Sequence, residues 1–129
     1  MKRSIVKRNL LNCLEKRDLL NQSAVSLEML KQWGEQFEEN GMFHDAVDFY
    51  QKAHAKEALG RIFKAAAEDG DAFLFNKVSR ILKVEPTEEE WIRLAERAKE
   101  LGKMAFAMEG YRRAGREVMD DGQVAERDQ

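Results

Sequence analysis

The sequence predicts an all-α fold of antiparallel helix pairs, and three observations carry that expectation. Helix formers (Ala, Leu, Glu, Lys, Arg, Met) dominate the 129 residues, whereas runs of Val, Ile and Thr are nearly absent. One proline and eight glycines leave few places to interrupt secondary structure. The third observation is an internal repeat. Leu30-x2-Trp33-Gly34-x2-Phe37, Gly41 and Ala46-x3-Tyr50-x2-Ala53 recur as Trp91-x2-Leu94-Ala95-x2-Ala98, Gly102 and Ala107-x3-Tyr111-x2-Ala114, each pair 61 positions apart. A constant offset across large, small and glycine positions marks helical hairpins stacked in an array.

The elements follow in order. Residues 3–20 place Val6, Leu10, Cys13 and Leu14 at helical spacing, which predicts a first helix with one apolar face. Asn21-Gln22-Ser23 interrupts it, and Ser23 or Ser26 can cap a second helix that runs to Asn40-Gly41. A third helix spans about 43–54. No Gly or Pro separates it from a fourth at about 56–68, so this is the boundary the residues mark least. Asp69-Gly70-Asp71 reads as a turn before a fifth helix that ends near Lys83. After Pro86, Thr87 and Glu90 form a capping box for a sixth, which Leu101-Gly102 ends. A seventh covers about 103–117. Residues 120–129 read as a polar C-terminal tail, frayed or without fixed structure. The expected organisation is one domain over 1–119, with helix pairs at about 26–54, 56–83 and 87–117.

The repeated residue types read as a packing code. Gly34 and Ala46 in the first pair, and Ala95 and Ala107 in the last, supply small residues on opposing helices so that the axes can approach. Trp33, Phe37 and Tyr50 fill the flanking space. The middle pair departs from the code: aligned on Gly70, its small positions become Phe63 and Phe75, which are expected to hold the helices apart. An alternative register matches Leu59-Gly60-x2-Phe63 but leaves Gly70 about one turn late.

Residues 27–55 and 88–116 resemble tetratricopeptide repeats, most specifically at Gly34, Phe37, Gly41, Ala46, Tyr50 and Ala53. Ala98 stands where that pattern has an aromatic, and the proline that closes each repeat is missing from the first copy. The resemblance implies a short right-handed α-α superhelix, here with an extra N-terminal helix. It also implies a groove lined by the first helix of each pair. Carried over position by position, the groove side shows Glu28, Lys31, Glu35, Glu38 and Glu39 in the first pair, and Glu89, Ile92, Glu96, Lys99 and Glu100 in the last. Relatives that clamp a peptide's terminal carboxylate place Lys, Arg and Asn along this face. Glu35 and Glu96 stand where the asparagine would be, which argues against such a clamp and for a basic or helical segment. Glu35, Glu38 and Glu96 are expected to face solvent. The competing reading of the same face is a solubilising charged surface.

Charge and motifs narrow the function classes. The net charge of −2 argues against general nucleic-acid affinity, yet residues 1–17 sum to +5 and residues 18–60 to −5. The basic start (Lys2, Arg3, Lys7, Arg8) offers no aromatic residue for base stacking, so a packed capping helix is the favoured reading. No stretch reaches the roughly 20 apolar residues that span a bilayer. The lone Cys13 rules out an internal disulfide and, on the apolar face of the first helix, is expected to be a buried inert thiol. His44 and Asp48 share a helix face, but nothing completes a metal site around them, and His54 lies ten residues from His44. Asp69-Gly70-Asp71 lacks the ligands of a calcium loop. No phosphate-binding loop, dinucleotide fingerprint or nucleophile elbow occurs. Phe73-Leu74-Phe75 reads as core, and Arg112, Arg113 and Arg116 as a solvated helix end.

These readings converge on a soluble, cytoplasmic, non-enzymatic adaptor or scaffold that needs no cofactor or metal and binds another protein or peptide. The alternatives are a nucleic-acid-associated module working through the basic N-terminal helix, and a regulatory subunit of an enzyme. The polar tail leaves the end near Tyr111 and Val118 open, and self-association there is a further expectation.

Overall fold

The computed structural model describes residues 10–22, 26–118 and 124–126. Seven helices lie among them: α1 (Cys13–Asn21), α2 (Leu27–Glu39), α3 (Phe43–Lys52), α4 (Lys56–Asp69), α5 (Ala72–Leu82), α6 (Glu88–Glu100) and α7 (Met104–Arg113). Two short strands, β1 (Arg116–Val118) and β2 (Val124–Glu126), pair antiparallel with Arg116 opposite Glu126. The chain is helical as expected, with this hairpin added. α7 therefore stops at Arg113 rather than near 117, and residues 124–126 of the expected tail are a strand. Residues 120–123 and 127–129 of that tail lie outside the described residues. No described helix is long and apolar enough to cross a membrane. By contacts the chain divides into two compact units, residues 1–59 and 60–129.

Five helix ends share one device. A residue in the left-handed region turns the chain, and the next N–H bonds back five residues: Met42 to Phe37, Ala55 to Tyr50, Asp71 to Ala66, Val84 to Ser79 and Lys103 to Ala98. Gly41, Gly70 and Gly102 hold the turning position in three of them, with φ between 67° and 76°. His54 (φ 56°) and Lys83 (φ 58°) hold it in the other two, although that conformation is uncommon for residues with a Cβ. This is why the boundary between α3 and α4 carries no glycine.

In the first unit, α2 begins at Ser26, whose hydroxyl accepts from the Met29 N–H at 3.1 Å. Leu30, Gly34 and Phe37 are the buried stripe of α2, and Ala46, Val47, Phe49 and Tyr50 that of α3. Phe37 and Phe49 stack at 5.4 Å. A Cβ placed on Gly34 would lie 2.6 Å from the Tyr50 ring. The small residue thus makes room for the Tyr50 ring, and Ala46, expected opposite it, is fully buried on the same helix as that tyrosine. The ring is fully buried, and its hydroxyl donates to Glu38 Oε1 at 2.6 Å.

α1 differs from the helix expected over 3–20. It begins only at Cys13, where Asn12 and Glu15 cap it reciprocally, while residues 10–12 are not helical. Residues 1–9, and with them Val6, lie outside the described residues. Cys13 is exposed and Leu14 is 61% exposed, so the expected apolar face is not the inner one. Lys16, Leu19 and Leu20 are the half-buried residues of the helix.

In the second unit, α6 and α7 begin and end 61 residues after α2 and α3 (88 − 27, 100 − 39, 104 − 43, 113 − 52). Thr87 and Glu90 form the expected capping box. The interiors of the two pairs nevertheless differ. Ala98 and Gly110 occupy the positions of Phe37 and Phe49, so a stacked aromatic pair in one copy is two small residues in the other. A Cβ on Gly110 would lie 2.9 Å from the Ala95 Cβ and 3.1 Å from the Trp91 carbonyl oxygen, so here the small residues bring the two backbones together. Ala95 meets Gly110 in this way and packs in one cluster with Ala98, Ala107 and Tyr111.

The rest of the second core is aromatic. Phe63 of α4 and Phe75 of α5 stack at 4.4 Å with an interplanar angle of 13°, so the residues expected to separate the middle pair form a flat ring contact. Trp91 meets Phe75 edge-on at 4.9 Å. Gly70 sits on Ala98 with no room for a side chain. At the same corner the C-terminal carbonyls of α4 accept from cations, Arg97 Nε to Glu68 at 2.8 Å and Lys103 Nζ to Asp69 at 2.8 Å.

The glycines give a paired test of this packing. Gly34→Ala should destabilise by about 1–3 kcal/mol, because the Tyr50 ring must move. Gly60→Ala, inside α4 with nothing within 4 Å of the new methyl, should stabilise by about 0.5–1 kcal/mol. Chemical denaturation of both variants reads the difference in sign.

Candidate interaction surfaces

Helical geometry places Glu28, Lys31, Glu35, Glu38 and Glu39 within one arc of α2, on the side away from Leu30, Gly34 and Phe37. Glu28, Lys31 and Glu39 are exposed, and Glu35 and Glu38 are half-buried. Glu38 is not the solvent-facing acid the sequence suggests, because its carboxylate accepts the Tyr50 hydroxyl. On α6, Glu89, Glu96, Lys99 and Glu100 share the equivalent arc and are all exposed, with Ile92 half-buried among them. Glu100 pairs with Arg97 at 3.2 Å. Glu96 lies near Tyr111, whose pKa is raised above 10.0, first by burial and then by the charge of Glu96. Tyr111 therefore favours the fold while neutral, and that contribution is lost as pH rises past the ordinary tyrosine value.

A second surface was not legible as a site. Lys16 of α1 reaches α3 and bridges Asp45 (2.6 Å) and Asp48 (2.7 Å) with one ammonium, its side chain 17% exposed. Burial lowers its pKa, but the hydrogen bonds to Asp45 and Asp48 outweigh this and the net shift is upward. A lysine with a raised folded pKa stabilises fully below its unfolded value, near 10.5, and loses that contribution as pH rises further. The clasp is thus intact at neutral pH. Around it lies a cleft of 530 Å³ whose apolar walls are Leu11, Leu20, Phe37 and Met42. The signal was present in the repeat: Asp45 stands at the position of Phe106, which takes an edge-on contact from Phe73 of α5 at 5.2 Å. A carboxylate in place of that ring calls for a cation on the packing helix, and Lys16 is the cation.

The remaining candidates resolve one by one. Cys13 lies at the rim of the α1 cleft as an exposed thiol, not a buried one. His44 is exposed and Asp48 is engaged by Lys16. Of the Phe73-Leu74-Phe75 run, Leu74 and Phe75 are core and Phe73 is 59% exposed. Arg112 and Arg113 share Glu109, at 2.6 Å and 2.8 Å, and Arg113 also lies over the Trp91 ring. The hydrogen bond from Arg112 chiefly holds the Glu109 carboxyl below its ordinary pKa, and burial opposes the shift. Asp71, from the turn read at 69–71, is the N-cap of α5 and accepts from Leu74 N–H at 3.0 Å.

Compared with protein-family models, with curated proteins and with solved structures, the chain matches none of them.

The clasp has a direct readout. Lys16→Met should speed tryptic cleavage after Arg17 severalfold, since α1 loses both ion pairs to α3. Cleavage after Arg93, on α6, should be unchanged.

Proposed function

We propose that the chain is a non-enzymatic interaction module of the tetratricopeptide kind, an adaptor that holds a partner polypeptide in the reducing setting of the cytoplasm. In this reading the helix pairs form a right-handed superhelix, and the first helix of each pair lines the groove that receives the partner. The observation that carries it is the acidic arc of α2, where Glu28 and Glu39 are exposed beside the half-buried Glu35. The exposed Glu89, Glu96 and Glu100 of α6 give the equivalent positions of the second copy the same sign. A surface of one sign steers an oppositely charged partner more than it adds affinity per contact. The partner segment is therefore rich in Lys or Arg, extended or helical. Support also comes from how Glu38 is used: tied to Tyr50, it stabilises the α2–α3 pair and leaves recognition to its neighbours.

The test uses the arc without touching that bond. The triple reversal Glu28→Lys, Glu35→Lys, Glu39→Lys should leave the circular dichroism spectrum unchanged. A partner captured with the wild-type chain, then purified, should bind the variant at least about tenfold more weakly at low salt, mainly through slower association. The difference should shrink as salt rises, since exposed charges are screened within about 8 Å at physiological ionic strength. Equal binding of the two forms at low salt would sink the proposal.

A further inference from the structure

The two copies of the hairpin differ in what covers one side of their first helix. On α6 that side includes Leu94 and Arg97. Leu94 is 0% exposed, and Arg97 donates to the last-turn carbonyl of α4. Sixty-one positions earlier the same side of α2 carries Trp33 and Gln36, continued by Met29 and Gln32. Here it is open: these four residues line a recess of 320 Å³, and Met29 is 46% exposed. In the second unit, then, Leu94 of this strip is covered while Arg93 and Arg97 are exposed. In the first unit Trp33 and Gln36 are half-buried and Met29 and Gln32 are exposed.

The chain also carries a helix face that suits it. On α7, Met104 and Met108 lie one turn apart and are 46% and 53% exposed, although the β1–β2 hairpin follows directly. Arg112 continues the same ladder one turn on, and it shares Glu109 with Arg113. The α2 strip is flanked on its Gln32 side by Glu28 and Glu39. Each helix thus offers an apolar pair at i, i+4, one edged with acid and the other with base. Methionine adapts to an irregular recess such as the one beside Trp33.

We propose that the Met29/Trp33 strip of α2 receives the Met104/Met108 face of α7 from a second copy of this chain. The contact is heterologous, because the two faces differ, so it does not stop of itself at two copies. It borders the acidic arc proposed for a partner and shares Glu28 and Glu39 with it, and the methionine variants below leave both acids in place.

The experiment is complementation. Met29→Glu places an acid in the first turn of α2, where the helix dipole favours it, and Met108→Glu alters an exposed position, so both variants should keep the wild-type circular dichroism spectrum. By sedimentation velocity the wild type should associate as concentration rises into the millimolar range, and each variant alone should lose that association. An equimolar mixture of the two variants should form a one-to-one dimer that grows no further, since Met29→Glu keeps the α7 face and Met108→Glu keeps the α2 strip. A wild type that stays monomeric, variants that still associate, or a mixture that fails to pair would each overturn the proposal. So would association seen only after removal of residues 2–9, which would assign the strip to the chain's own first residues.

Discussion

The two repeated helix pairs depend on where each lodges a tyrosine. Tyr50 and Tyr111 hold equivalent positions on the second helix of their pairs, and both are buried. A tyrosine ring near a helix crossing needs a partner helix that gives up volume beside it. In the first pair Gly34 does so by lacking a side chain where the ring lies. In the second pair Ala95 restores that methyl, and the space is recovered elsewhere, by Gly110 and Ala98. Both solutions suit a core packed at crystal-like density. The first solution goes with the Phe37–Phe49 stack, and the second with small residues, Ala98 and Gly110, at those positions.

Much of this was legible in the residues. The 61-residue offset holds for both ends of both helices, because the code that sets it, glycine turns and buried small residues, acts locally. The caps at Ser26, Asp71 and Thr87 follow from hydroxyl and carboxylate side chains that accept first-turn N–H groups. What was not legible was pairwise. A small residue announces close approach but not every group that approaches, and the Tyr50 ring against Gly34 was not foreseen. The end of α3 was obscure because His54 performs the turn that glycine usually performs.

The surfaces were harder to read than the core for the same reason. Helical period groups the acidic positions within one arc, but period says nothing of Tyr50 reaching Glu38 across the pair. The inner side of α1 was misread because its apolar residues and its buried residues differ: Leu14 faces out while Lys16 is half-buried between two aspartates. An ion pair across two elements has no periodicity of its own. It shows only when the partner position is compared with its repeat, where Phe106 stands in place of Asp45.

The exchange of large for small residues between the two pairs bears on how the chain finds its fold. Repeated helices of similar outline invite mispairing, in which the first helix of one copy joins the second helix of the other. Here such chimeras are penalised by volume. α2 against α7 would set Phe37 beside Gly110 and leave a void, and α6 against α3 would drive Phe49 into the site that Ala98 and Ala95 have closed. Divergence between the copies thus acts as an address, directing each helix to its own neighbour during folding.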